Sequence, residues 1–232
     1  MKYDCLIIDD EQALCDNTCE YFNMFEVKTH AVYGKDEALA FLKENEVSLI
    51  LLDINLGDGS GFELCKLLRE TSDTPIIFIS ARNTDDDKII ALNIGGDDYV
   101  EKPYSLGVLL AKVKVVLRRF SGVSSDGASE KEYVDGKLKL DRKNKILYMD
   151  GKEKKLTSLE YSLLEYLTSN PARLITKQEL FENVWKDRFT SDGTLNVHIR
   201  KLREVIEPDP QKPRRIVTVW KEGYKYISGA DS

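Results

Sequence analysis

Short, nearly unbroken apolar runs punctuate the first half of the chain: Cys5-Leu6-Ile7-Ile8, a weaker one over Val27 to Val32, Leu49-Ile50-Leu51-Leu52, Ile76-Ile77-Phe78-Ile79 and a brief one at Tyr99-Val100. Runs this short, apolar at consecutive positions, predict strands buried on both faces. Between them the period changes. Stretches around 11–25, 35–44, 61–70, 84–94 and 105–119 space apolar residues as helices do, the last with Leu106, Leu109, Leu110, Val113 and Leu117 on one stripe. Five such alternations predict a doubly wound α/β domain, flavodoxin-like, whose five-stranded parallel sheet carries helices on both faces.

The pattern then lapses. Ser121 to Glu130 (SGVSSDGASE) is small and polar, and predicts a flexible linker. The expected division is a domain over 1–120, a linker over 121–132 and a second domain over 133–232. In that second part Lys137-Leu138-Lys139-Leu140, Ile146-Leu147-Tyr148-Met149 and Glu153 to Leu156 read as strands, with Asp150-Gly151 as the turn between the latter two. Helices near 158–168, 176–185 and 192–206 follow, then a hairpin pairing Ile216-Val217-Thr218-Val219 with Tyr224-Lys225-Tyr226. Small sheet, three helices and hairpin is the order of an α+β winged helix-turn-helix. In the third helix Leu195, Ile199, Leu202 and Ile206 form the inward stripe. Thr194, Val197, His198 and Lys201 occupy neighbouring faces, flanked by Asn196, Arg200 and Arg203. Such a helix suits a major groove, its first short side chains at base edges and its basic flanks on phosphates.

Composition fits two globular domains. Across 232 residues, 42% hydrophobic and 32% charged positions exclude a disordered tail or a membrane bundle. No stretch approaches the ~18 apolar residues of a membrane span, and the start has no cationic leader, so a cytoplasmic protein without membrane attachment is expected. The net charge of −6 alone argues against a nucleic-acid partner. Its distribution argues the reverse. Residues 1–120 hold 13 Lys and Arg against 22 Asp and Glu, a balance of −9, whereas from Lys137 onward 20 face 14, a balance of +6. Cys5, Cys15, Cys19 and Cys65 form no C-x-x-C pair; Cys15 and Cys19 share a helical face but lack further nearby ligands, so buried reduced thiols are expected.

In a parallel sheet ligands collect outside the carboxyl ends of the strands. Asp9 and Asp10 follow the first run, Asp53 ends the third, Ser80 ends the fourth and Lys102-Pro103 follows the fifth. Three carboxylates brought together raise one another's pKa unless a cation intervenes. A hard divalent ion, most simply Mg²⁺, removes the conflict, and a lysine beside it can neutralise a phosphoryl group. Asp85-Asp86-Asp87 read as acids at a helix start, and Gly57, Gly59 and Gly61 as a turn opening a helix.

Ile7-Ile8-Asp9-Asp10-Glu11, Leu52-Asp53-Ile54 with Asp58-Gly59-Ser60-Gly61-Phe62, Ile79-Ser80-Ala81, and Gly96-Asp97-Asp98-Tyr99 with Lys102-Pro103-Tyr104 resemble the receiver domains of two-component response regulators. The resemblance implies that Asp53 accepts a phosphoryl group from a sensor histidine kinase. Asp9, Asp10, Asp53 and the backbone carbonyl of Asn55 would arrange Mg²⁺, Lys102 would pair with the phosphoryl oxygens, and Ser80 with Tyr99 would switch. Beyond the linker, Leu156-Thr157 with Glu160-Tyr161, Val184-Trp185, Val197-His198-Ile199-Arg200-Lys201-Leu202-Arg203 and Gly223-Tyr224 resemble the effector domain of the OmpR/PhoB subfamily. This implies binding to double-stranded promoter DNA through the third helix, with Thr218, Lys221 and Tyr224 from the wing. It also implies a homodimer formed on phosphorylation through Lys88, Asp97, Lys112 and Arg118, with RNA polymerase as a further candidate partner.

Four positions depart from the family pattern. Gly57 stands where many relatives carry proline, implying a more mobile loop. Val108 replaces a glutamate and Lys112 an arginine, which shifts a dimer toward apolar contacts. Trp220 replaces the wing arginine. Two other readings remain at this point: a constitutively dimeric regulator that ignores phosphorylation, and an aspartate-dependent phosphohydrolase, which would need an acid where Asn55 stands.

Overall fold

The computed structural model describes residues 1–120, 132–186 and 190–229. The linker expected over 121–132 lies outside them except for Glu132. The chain separates into two compact units, Met1–Val123 and Ser124–Ser232.

In the first unit, strands Cys5–Ile8, Thr29–Val32, Ile50–Asp53, Ile76–Ser80 and Asp98–Glu101 form one parallel sheet. Their order is second, first, third, fourth, fifth. Helices α1 (Gln12–Met24), α2 (Lys35–Glu44), α3 (Gly61–Thr71), α4 (Asp85–Asn93) and α5 (Leu106–Phe120) connect and cover them. Alternate strand residues feed two cores. Leu6, Ile8, Ile50, Leu52, Ile76 and Phe78 pack with Ala38, Leu64, Leu68 and Ala91 of α2, α3 and α4. Cys5, Ile7, Leu51, Ile77 and Ile79 face the other way, onto Cys15 and Phe22 of α1 and Leu109, Val113 and Val116 of α5. The unbroken apolar runs are thus explained: every strand side chain meets a helix. The cysteines belong to this packing. Cys15 and Cys19 donate to the carbonyls of Asp9 and Thr29 at 3.5 and 3.1 Å. Burial pushes the Cys15 thiol up to about 12, so it stays protonated.

The second unit opens with a four-stranded antiparallel sheet, Glu132–Asp135, Leu138–Asp141, Ile146–Met149 and Lys152–Lys154. Helix α6 (Ser158–Thr168) follows, with a capping box in which Thr157 and Glu160 satisfy each other's backbone amides. Then come α7 (Lys177–Leu180), extended by a π-helical turn over Phe181–Trp185, and α8 (Asp192–Ile206), capped by Ser191. The closing hairpin, Ile216–Val219 with Gly223–Tyr226, pairs additionally with Ile175–Thr176. Leu195, Ile199, Leu202 and Ile206 enter the core as their spacing predicts. Gly223 is required there: a Cβ on it would stand 2.0 Å from the Ile175 carbonyl oxygen.

Apolar runs do not reveal the Glu132–Asp135 strand. Val134 is 63% exposed, while the group turned inward is a carboxylate, Asp135. It accepts from Arg215 Nη1 at 2.9 Å, Tyr226 Oη at 2.7 Å and the Gly229 amide at 2.7 Å, and Arg215 is fully buried. This clasp joins the first strand of the unit to its last hairpin. Removing one partner leaves a buried guanidinium uncompensated, so Asp135→Ala should lower the unfolding free energy by ~3–5 kcal/mol. Urea melts followed by tryptophan fluorescence measure this, with the exposed Glu153→Ala expected to stay within ~0.5 kcal/mol of the parent.

Candidate functional site

The carboxyl ends of the first and third strands bring Asp9, Asp10 and Asp53 together, one oxygen from each lying within 4.8 Å of the others. Asp9 and Asp53 are almost fully buried and Asp10 is exposed. Lys102, from the loop after the fifth strand, places Nζ 2.7 Å from Asp9 and 3.4 Å from Asp53. It also lies 2.7 Å from Glu11, a carboxylate to which the motif alone gives no role. Burial raises the Asp53 pKa, and the neighbouring charge of Asp9 adds to this against the opposing pull of Lys102. Burial alone would lower the Lys102 pKa, but the Asp9 and Glu11 carboxylates outweigh it and hold the value above normal.

Local backbone chemistry shapes this edge. The Ile54 amide donates to Asp53 Oδ1 at 2.7 Å, and the Glu11 amide to Asp9 Oδ1 at 3.0 Å. Gly61 opens α3 so close to the strand end that a Cβ would stand 1.9 Å from the Asp53 carbonyl oxygen. The expected looseness at Gly57 meets two restraints. Asn55–Leu56 pairs with Gly59–Ser60, and Asp58 accepts from the amides of Lys35 and Asp36 at the start of α2.

Ser80 is fully buried at the same edge, where its Oγ accepts from the Arg82 amide at 3.3 Å. Tyr99 donates its hydroxyl to the Arg82 carbonyl at 2.5 Å. Arg82 also reaches Asn55 Oδ1 at 2.8 Å and Asp87 at 3.6 Å. It therefore links the turn that carries Asn55 with the ends of the strands that carry Ser80 and Tyr99. No motif marked it; its only sequence signal is its place two residues beyond Ser80.

The proposed dimer residues divide. Lys88 is partly exposed and pairs with Glu101 at 2.5 Å, and Arg118 is exposed. Asp97 and Lys112 are instead buried within the unit. Asp97 accepts from Arg69 Nη2 and from the Ile76 amide, each at 2.9 Å, and Lys112 pairs with buried Asp98. Their charges are consumed in fixing the last strand and α5, which corrects the expectation that they face a partner. Exposed on α4 and α5 are Ile89, Ile90 and Val108.

The recognition helix needs a similar correction. Asn196 and Arg200 are exposed, but Thr194, Val197 and His198 are buried, His198 completely. Thr194 belongs to the α8 cap, 3.1 Å from the Ser191 hydroxyl. The His198 ring lies 5.8 Å from that of buried Trp185, with Nδ1 3.9 Å from Glu160. Lys201 Nζ lies 2.6 Å from the same carboxylate. Arg203 donates to the Ile216 carbonyl and to Thr218 Oγ1, and Tyr224, also buried, donates to Asn196 Oδ1 at 2.8 Å. Several polar groups on α8 thus serve to dock the helix and the hairpin. At the hairpin turn Trp220 and Lys221 are exposed.

A phosphate-suited acidic edge on a doubly wound domain, followed by a winged helix, defines a regulator with a switch and a DNA reader. A family model described as response regulator receiver domain matches residues 5–114, and one described as transcriptional regulatory protein, C terminal, matches 151–226. The sensory transduction protein RegX3 of Mycolicibacterium smegmatis is 36% identical over 221 residues, covering 95% of this chain and 97% of that protein. The regulatory protein VanRc of Enterococcus gallinarum is 34% identical, covering 97% and 98%. The crystal structure of DrrB, a Thermotoga maritima OmpR/PhoB homologue, aligns with a TM-score of 0.52 at 27% identity over 98% of this chain and all of that one. The chain belongs to the OmpR/PhoB response regulators. It is a two-component transcriptional regulator of a family whose receivers bind Mg²⁺ at the acidic pocket, and membership implies a sensor kinase and DNA as partners. Among the described residues no helix is long and apolar enough to cross a membrane.

Burial alone would raise the Glu160 pKa, but the facing His198 ring and the Lys201 ammonium outweigh it and hold the carboxyl at about 2. A depressed carboxyl stabilises the fold above its unfolded value near 4.5, and that contribution is lost as pH falls toward 2. The second unit should therefore lose on the order of 3 kcal/mol over this window. Urea melts at pH 7, 4 and 2.5 check it, and Glu160→Gln should flatten the profile.

Proposed function

We propose that Asp53 is the phosphoacceptor and that its phosphorylation controls dimerisation and promoter binding. A carboxylate oxygen of Asp53 attacks phosphorus in the kinase's phosphohistidine; the P–O bond forms, the P–N bond breaks, and the histidine nitrogen keeps the electron pair. The carrying observation is the Lys102 ammonium, set among Asp9, Glu11 and Asp53. A pocket that already gathers one cation around crowded carboxylates suits a second, hard one. Asp9, Asp10, Asp53 and the backbone carbonyl of Asn55 would hold Mg²⁺, which supplies charge neutralisation to the phosphoryl oxygens when bound. Lys102 exchanges carboxylate partners for a phosphoryl oxygen. Ser80 Oγ, which accepts from the Arg82 amide, turns to donate to a phosphoryl oxygen, and its departure from that amide frees Tyr99 to follow.

Dimerisation through α4 and α5 then brings two winged helices to adjacent half-sites, with RNA polymerase engaged at the promoter in the cytoplasm. Exposed Ile89, Ile90 and Val108 support a largely apolar contact, with Lys88 and Arg118 at its margin. Asn196, Arg200 and Lys201 on α8, with Thr218 and Lys221 on the wing, are the DNA-facing groups under this reading. A second reading, a constitutively dimeric regulator, draws on a different observation: Lys88 and Lys112 already have partners within the chain.

Treated with acetyl phosphate and Mg²⁺, the full-length protein should gain one phosphoryl group by intact mass, and Asp53→Asn should gain none. In analytical ultracentrifugation with beryllofluoride the parent should pass from monomer to dimer, raising DNA affinity by ~10²–10⁴ through effective concentration. An Asp53→Asn protein that gained the same affinity on phosphorylation would sink the proposal. A dimer unchanged by beryllofluoride would establish the second reading.

A further inference from the structure

We propose that Trp220 reads DNA as an apolar wedge in the minor groove, an inference that rests on the DNA-binding role of the winged helix. Of the chain's two tryptophans, Trp185 is 1% exposed and Trp220 is 81% exposed, level with Met1 as the most exposed large apolar side chain among the described residues. Its surroundings are held rather than loose. The last pairs of the hairpin are Thr218 with Tyr224 and Val219 with Gly223. Both residues of the first pair are tied to the recognition helix, Thr218 by Arg203 and Tyr224 through Asn196. The Glu222 amide closes the turn on the Val219 carbonyl at 3.0 Å, and Lys221 adopts a left-handed φ of 62°.

Ile216 enters the core and Thr218 touches Arg203 of α8, so the strand leading into the turn is fixed against the recognition helix, and Trp220 stands one residue beyond the strand's end at Val219. Lys221 follows it directly, a cation placed for a phosphate when the indole enters a groove. Architectural DNA-binding proteins use apolar wedges in this way, opening a base step and favouring deformable sequences. A protein-binding role would suit an apolar patch; here the indole is flanked by Lys221 and Glu222, both exposed, and the cation beside it favours the phosphate-lined groove.

The test uses the full-length protein and the duplexes it selects from a random-sequence pool. On binding these duplexes the exposed tryptophan emission should become shielded from acrylamide, a change missing in Trp220→Phe. Trp220→Ala should bind roughly tenfold or more weakly and lose preference at minor-groove positions beside the half-site, while melting with the parent. Trp220→Phe should retain most of the affinity, and Trp220→Arg should steepen the salt slope by ~0.9. Equal affinity and unchanged selection for Trp220→Ala, or unaltered acrylamide access on binding, overturns the wedge while leaving DNA binding intact. A parent protein that selects no duplex overturns the DNA reading and the wedge with it.

Discussion

Three carboxylates at one sheet edge are the constraint around which the first unit is arranged. Two of them, Asp9 and Asp53, are buried, and ions removed from water without compensation cost several kcal/mol each. The compensation is Lys102, and its reach defines the geometry of that edge. Its own amide donates to the Ser80 carbonyl at 2.8 Å, so the loop carrying the ammonium is fixed to the strand carrying the hydroxyl. Gly61 lets α3 begin against Asp53, and Asp58 clamps the intervening turn to α2. Each element meets the others at or beside the acidic cluster, so a phosphoryl group arriving as proposed would act on all of them together.

The second unit solves a related problem with buried pairs. Asp135 and Arg215 sit in its interior with their main polar contacts made, and Glu160 faces His198 and Lys201. Such pairs contribute little net stability compared with apolar packing, but they fix relative placement because breaking them is costly. The Glu160 pairing sets α8 against α6, while Arg203 sets the hairpin against α8. The orientation of the reading helix and its wing follows from these interior contacts before any DNA is present.

Periodicity made most of the architecture legible. Strands packed on both faces leave uninterrupted apolar runs, and the order of acids, hydroxyl and lysine after those runs is the order in which the sheet edge presents them. Expectation and structure part where a polar residue, ordinarily exposed, is buried. Asp97, Lys112 and His198, expected to face partners, are buried with partners far along the chain, and so is Asp135, for which the sequence carries no signal. Arg69 lies 28 residues from Asp97 and Arg215 lies 80 from Asp135. No local pattern encodes such pairings. Helical spacing also distinguishes faces only to within one residue's arc, which is why Val197 and His198, next to the core-facing Ile199, were placed outside. Arg82 is illegible for a different reason: its contacts come from the meeting of one turn with two strand ends, and none of the three carries a local signal for it.

The division of charge constrains how the two units communicate. The first carries −9 over residues 1–120, and a phosphoryl group adds ~−1.5 to −2 more. Added negative charge opposes approach to DNA, so phosphorylation cannot raise affinity by making the protein a better polycation. Nor does the added charge act far through solvent, since screening at physiological salt sets in within ~8 Å. The remaining route is mechanical and apolar. In the proposed switch Ser80 and Tyr99 would register the phosphoryl group, while exposed Ile89, Ile90 and Val108 offer surface whose burial in a dimer would not depend on net charge. Two basic readers joined in this way would gain by effective concentration what the receiver's charge withholds, and an ion pair absent at Val108 would be compatible with that switch.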